Sequence, residues 1–108
     1  MTAIPFVSTL RARRESVLLG PQDGETIDVR VEIPELWDVV RIVTPPSETV
    51  LAVKVAALAA LDPRGDQRDY VMKLRGFEML DEQQTLAESG AKQNSTFLLT
   101  HRRRRPVR

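Results

Sequence analysis

Few residues in this sequence could do chemistry, and their spacing argues against most reactions. Asp62, Asp66 and Asp69 place three carboxylates within eight residues, where hard cations are often held by oxygen ligands. They lack the 12-residue calcium-loop pattern, and loop aspartates ordinarily serve turns, so no metal site is expected. His101 is the only histidine and there is no cysteine. That excludes disulfides and thiolate chemistry, and it makes a histidine-centred catalytic or metal site a poor expectation. Gly65 and Gly76 stand alone, without a phosphate-cradling loop or a nucleotide fingerprint. The chain is therefore expected not to be an enzyme and to need no cofactor.

The charge is more informative than its small total of +1. Residues 27–101 carry eight basic and twelve acidic side chains, a net of −4, whereas Arg102, Arg103, Arg104, Arg105 and Arg108 crowd the end. An acidic body with a basic tail can attract acidic protein surfaces, nucleic acid or anionic membrane. Without interleaved aromatics, five arginines favour a solvated or protein-docking tail over a nucleic-acid binder. One further cation stands out: Lys54 interrupts the longest apolar run, residues 50–61. At 100° per residue it falls inside the arc made by the stripe Val50, Val53, Ala57 and Leu61 and its flanking residues Leu58, Leu51 and Val55. A buried ammonium there requires an acidic partner.

The elements that must position these residues follow from periodicity. At 108 residues, with 42% hydrophobic and 29% charged side chains, the chain is one globular domain. No apolar run approaches the ~20 residues that span a bilayer. The stretch after Arg11, Arg13 and Arg14 is too short for a signal-peptide core. A cytoplasmic location is expected. Residues 1–24 read as a partly flexible extension containing a short strand over 16–19. Ile27, Val29, Val31 and Ile33 alternate with charged residues, the pattern of a strand with one buried face. A second strand spans 37–44, with Val40 and Ile42 inward. Pro45 and Pro46 end it, and Ser47 or Thr49 can cap a helix running to Leu61. Strands follow over 70–74, 77–80 and 95–101. Thr85 to Gly90 reads as a capped helical turn ended by glycine. The helix is apolar nearly all round, with Ala52, Ala56, Ala59 and Ala60 opposite the large residues. Such a helix usually lies between two layers, which makes its alanine face a candidate partner surface or a seat for residues 4–10.

Three stretches together resemble the ubiquitin family. Residues 40–54 (VRIVTPPSETVLAVK) look like that family's second strand, its Pro-Ser-Asp-Thr turn and the start of its helix. Residues 74–80 (LRGFEML), continued through Leu86, look like the strand and turn before its threonine-leucine turn. Ser95, Thr96, Phe97, Leu98 and Leu99 look like its last strand. The likeness covers residues 27–102, roughly three quarters of the chain. It implies an α+β β-grasp fold, with a mixed four- to five-stranded sheet packed on one helix. The domain would occupy residues 25–102 and an arginine-rich tail residues 103–108. The family's apolar binding patch maps onto Lys73, Leu98 and Thr100, with Met72 beside them, and the resemblance pairs Lys54 with Asp81 or Glu82. Conjugated members end in Gly-Gly, whereas the last glycine here is Gly90, so conjugation is disfavoured. The resemblance thus implies a non-catalytic protein-interaction module. With an arginine- and alanine-rich composition suggesting a GC-rich bacterial genome, an adaptor or regulator of a secretion-type machine is expected. The alternatives are a modifier conjugated by its own bacterial activating and conjugating enzymes, of the antiphage-defence kind, and a basic-tailed nucleic-acid or membrane-surface binder.

Overall fold

The computed structural model describes residues 16–102. Its elements are strands β1 (Val17–Leu18), β2 (Ile27–Ile33) and β3 (Asp38–Thr44), helix α1 (Val50–Leu61), strands β4 (Tyr70–Leu74) and β5 (Phe77–Glu78), the short helix α2 (Leu86–Ser89) and strand β6 (Ser95–His101). They form a six-stranded mixed sheet in the order β1-β3-β2-β6-β4-β5. The two central strands, β2 and β6, run parallel, with Glu32 beside Leu98. The β2–β3 and β4–β6 pairs are antiparallel.

Period-2 alternation explains the strands. Ile27, Val29, Val31 and Ile33 of β2, Val40 and Ile42 of β3, and Phe97 and Leu99 of β6 all turn inward and are buried. Val50, Val53, Ala57 and Leu58 of α1 close over that face, completing a two-layer core. Thr49 caps α1, its Oγ1 accepting from Ala52 N at 3.0 Å. Thr85 and Glu88 form a reciprocal capping box on α2, and Gly90 ends it in the left-handed region.

The sheet has six strands where four or five were anticipated, because the segment read as an extension contributes β1. Val17 and Leu18 pair in parallel with Ile42 and Val43, and Val17 and Leu19 pack against the core. Residues ahead of position 25 thus take part in the sheet. Residues 1–15 and 103–108, including the expected cover over the alanine face from residues 4–10, lie outside the described residues. No helix among the described residues is long and apolar enough to cross a membrane.

Candidate binding surface

With α1 covering one face of the sheet, the other face presents the alternate side chains. One row crosses five strands: Val39, Glu32, Leu98, Lys73 and Glu78. The next row toward the end of β6 pairs Thr100 with Val71. Lys73, Leu98 and Thr100 therefore share this face and are half-buried. Met72 does not join them. It is fully buried in the core opposite Leu99. The correction follows from strand parity, since the neighbours of an outward Lys73 must point inward. Val71, not Met72, flanks Thr100.

Beside this row, at the end of the β2–β3 ladder, is a tip that periodicity does not reveal. Pro34–Leu36 form a single 3-10 turn between β2 and β3, closed by Trp37 N donating to Pro34 O at 3.1 Å. Trp37 takes φ 55°, the left-handed region where glycine or asparagine is usual, and is 95% exposed. Leu36 and Val39 are exposed beside it. Glu32, Ile33, Pro34, Trp37, Asp38 and Val39 line a cavity of about 400 Å³ at this tip. The sequence reading placed Trp37 at the start of the second strand. The available signal was a lone tryptophan directly after the Pro-Glu-Leu interruption.

The alanine face of α1 is less open than its helical wheel suggests. Ala52 and Ala56 are half-buried, with Ala56 packed against the core, and only Ala59 and Ala60 are exposed. Lys54 is 1% exposed, and its Nζ lies 2.8 Å from Glu82 Oε2. Asp81 Oδ1 instead accepts from Gln83 N.

The aspartates after α1 are engaged in holding the chain. Asp62 Oδ2 accepts from the Tyr70 hydroxyl at 2.7 Å. Burial, followed by that bond and the negative charges of Asp62, Glu35 and Asp69, pushes the Tyr70 hydroxyl up to about 12. Asp66 pairs with Arg68 at 2.9 Å, and hydrogen bonds from the Arg68 side chain and backbone hold its carboxyl down at about 2. No group of three potential metal-ligating side chains forms among the described residues. Arg102, the first arginine of the tail, is tied down: its N donates to Asp69 O at 2.6 Å and its Nε to Arg68 O at 3.1 Å. Arg103, Arg104, Arg105 and Arg108 lie outside the described residues.

Solved structures share this arrangement. The ubiquitin-like domain of an Arabidopsis thaliana protein superposes with a TM-score of 0.65 at 17% identity, over 82% of this chain and 90% of that one. Caldiarchaeum subterraneum ubiquitin does so with a TM-score of 0.64 at 17% identity, over 74% and 98%. The fold is the ubiquitin-like β-grasp. The C-terminal ubiquitin-like domain of mouse tubulin-specific chaperone e is similar too, with a TM-score of 0.64 at 14% identity over 82% and 98%. No protein-family model and no curated protein sequence matches the chain. In this ubiquitin-like fold the sheet face that α1 leaves uncovered carries Val39, Leu98 and Lys73, with Trp37 exposed at the β2–β3 tip two residues before Val39.

Proposed function

We propose that the chain is a non-catalytic ubiquitin-like interaction module that binds another protein through the outer face of its sheet. The observation that carries this reading is Trp37, a large apolar side chain held 95% exposed at the β2–β3 tip, where it lines a cavity with Glu32 and Val39 of the outer row. Tryptophans of this kind are typical binding anchors, and the mixed charges of Glu32, Lys73 and Glu78 would supply register rather than bulk affinity. The composition supports a bacterial setting. In it, the module acts in the cytoplasm as an adaptor or regulator of a secretion-type machine. The segment after β6 carries arginines where conjugated members carry glycines, which favours non-covalent over covalent action.

The test uses the full chain and the products of its neighbouring genes. Binding of a neighbouring secretion ATPase, lost in Trp37→Ala and in Leu98→Glu variants that melt normally, is the expected result. Incubation with neighbouring activating and conjugating enzymes and ATP, followed by mass spectrometry, should give no adduct. A thioester or isopeptide formed through the segment after β6 would overturn the reading in favour of a modifier.

A further inference from the structure

The hairpin tip carries two features that the fold does not require. A glycine at position 37 would turn the chain more easily, and the core gains nothing from an indole that is 95% exposed. The cavity beside it is lined by Ile33, Pro34 and Val39 and by the acidic Glu32 and Asp38, and Glu35, outside that lining, is exposed in the adjoining Pro34–Leu36 turn. Asp38 already accepts from Val39 N through Oδ1, so Glu32 and Glu35 carry the argument.

We infer that the groove at the β2–β3 tip receives the chain's own arginine run, residues 103–105, with guanidinium groups laid against the Trp37 indole and paired with Glu32 and Glu35. The position of the preceding residues points to this occupant. Strand β6 runs parallel to β2, and its end packs beside the Pro34–Leu36 turn. Arg102 is fixed by its bonds to Arg68 and Asp69, so the run starts at the same end of the sheet as the groove. Neighbouring strands are about 4.8 Å apart, and three extended residues reach about 10 Å, enough to cross from β6 to the β2–β3 tip. The charges complement each other: consecutive arginines would meet the half-buried Glu32 in the lining and the exposed Glu35 in the adjoining turn. Arginine is also the cation that best combines stacking on an indole face with a forked grip on carboxylates. A short tether supplies a millimolar effective concentration, which suits contacts that are individually weak. If the outer face binds a partner as proposed above, the tail competes for its anchor. The contact itself requires no partner.

Trp37 is the only tryptophan, so its fluorescence reports this contact directly. The full chain is compared with an Arg103→Ser/Arg104→Ser/Arg105→Ser variant and a Glu32→Gln/Glu35→Gln variant. Acrylamide serves as a neutral quencher at low ionic strength. With the groove about half occupied, either variant should raise the quenching constant by up to about twofold and shift emission to the red. Salt near 1 M, where the screening length falls to about 3 Å, should do the same to the full chain and nothing to the variants. Equal quenching of all three proteins at low salt overturns the inference. So does shielding that grows with protein concentration, which would place another copy's tail in the groove. Either failure leaves partner binding by the outer face untouched, because no partner enters the measurement.

Discussion

An ammonium group sealed in an apolar core survives only if its charge is answered on the spot, and Lys54 has one answer. Its Nζ reaches Glu82 at 2.8 Å, with the lysine side chain 1% and the glutamate 21% exposed. Removing one partner of such a pair leaves the other charge buried, which costs more than the pair contributes. Glu82→Ala should therefore lower unfolding free energy by about 2–3 kcal/mol, while Lys54→Met/Glu82→Gln should recover most of that loss. Urea unfolding of the three proteins checks this. Tyr70 offers a second test, being the only tyrosine in the chain. Its folded value of about 12 stands above the ordinary 10.0, so the native state favours the protonated phenol. That contribution is complete below pH 10 and is lost as the pH rises from 10 to 12. Tyrosinate absorbance should titrate near 12 in the native chain. Asp62→Asn should lower the midpoint while burial keeps it above 10. Both residues also show how far the sequence speaks at this scale. The charge of Lys54 in an apolar arc is enough to demand a partner, but choosing Glu82 over Asp81 depends on a turn whose geometry no periodicity encodes. Met72 was misplaced on the patch, although an outward Lys73 fixes its neighbour inward.

The two helix beginnings are stitched to each other at the level of elements, which gives a four-residue helix its place. Val50 N donates to Gln84 O, Leu51 N to Glu82 O, Leu86 N to Glu48 O and Ala87 N to Pro46 O. A helix as short as α2 has no stability of its own, so its cap matters. Thr85→Ala removes half of the capping box and should cost about 1 kcal/mol. Combined with Glu82→Ala the loss should be less than additive, because both act on the same stitched turn. Double-mutant unfolding measures this. The β2–β3 hairpin predicts the opposite sign. Trp37 occupies the left-handed region at a cost of about 1 kcal/mol, so Trp37→Gly should stabilise the chain by about that amount while abolishing binding at the tip. A variant that neither melts higher nor loses binding would refute the view that this position is held for recognition. The alternation of β2 and, for α1, an apolar run following a capping threonine were readable from residue types alone. The break at Pro34–Leu36 was readable as well, but the place of Trp37 was not, because it depends on a left-handed backbone conformation that tryptophan itself disfavours.

For the molecule as a whole, the decisive feature is where the sheet stops. Without β1, β3 would be an edge of the sheet, presenting unpaired donors and acceptors that invite another chain. Here β1 covers that edge. Leu19 N donates to Val43 O at 2.9 Å, and the Gln22 side-chain amide reaches Leu19 O and Val43 O at 3.1 Å each. Arg41 Nε donates to Ser16 Oγ at 3.3 Å across the same junction. The chain then turns at Gly20, where φ is 74° and a Cβ would sit 2.5 Å from Glu48 Oε2. Two residues cannot form a strand by themselves, so β1 exists because the completed sheet offers it a partner. Its sequence signal is correspondingly faint. Val17 and Leu19 are half-buried against the core, and each should contribute about 1 kcal/mol through apolar burial. A chain starting at Gly20 should therefore be about 2 kcal/mol less stable than one starting at Ser16. With the β3 edge bare, it should also self-associate as concentration rises. Urea unfolding and sedimentation of the two truncated chains test both effects together. Equal stability with two clean monomers would mean that β1 neither supports the core nor guards the edge.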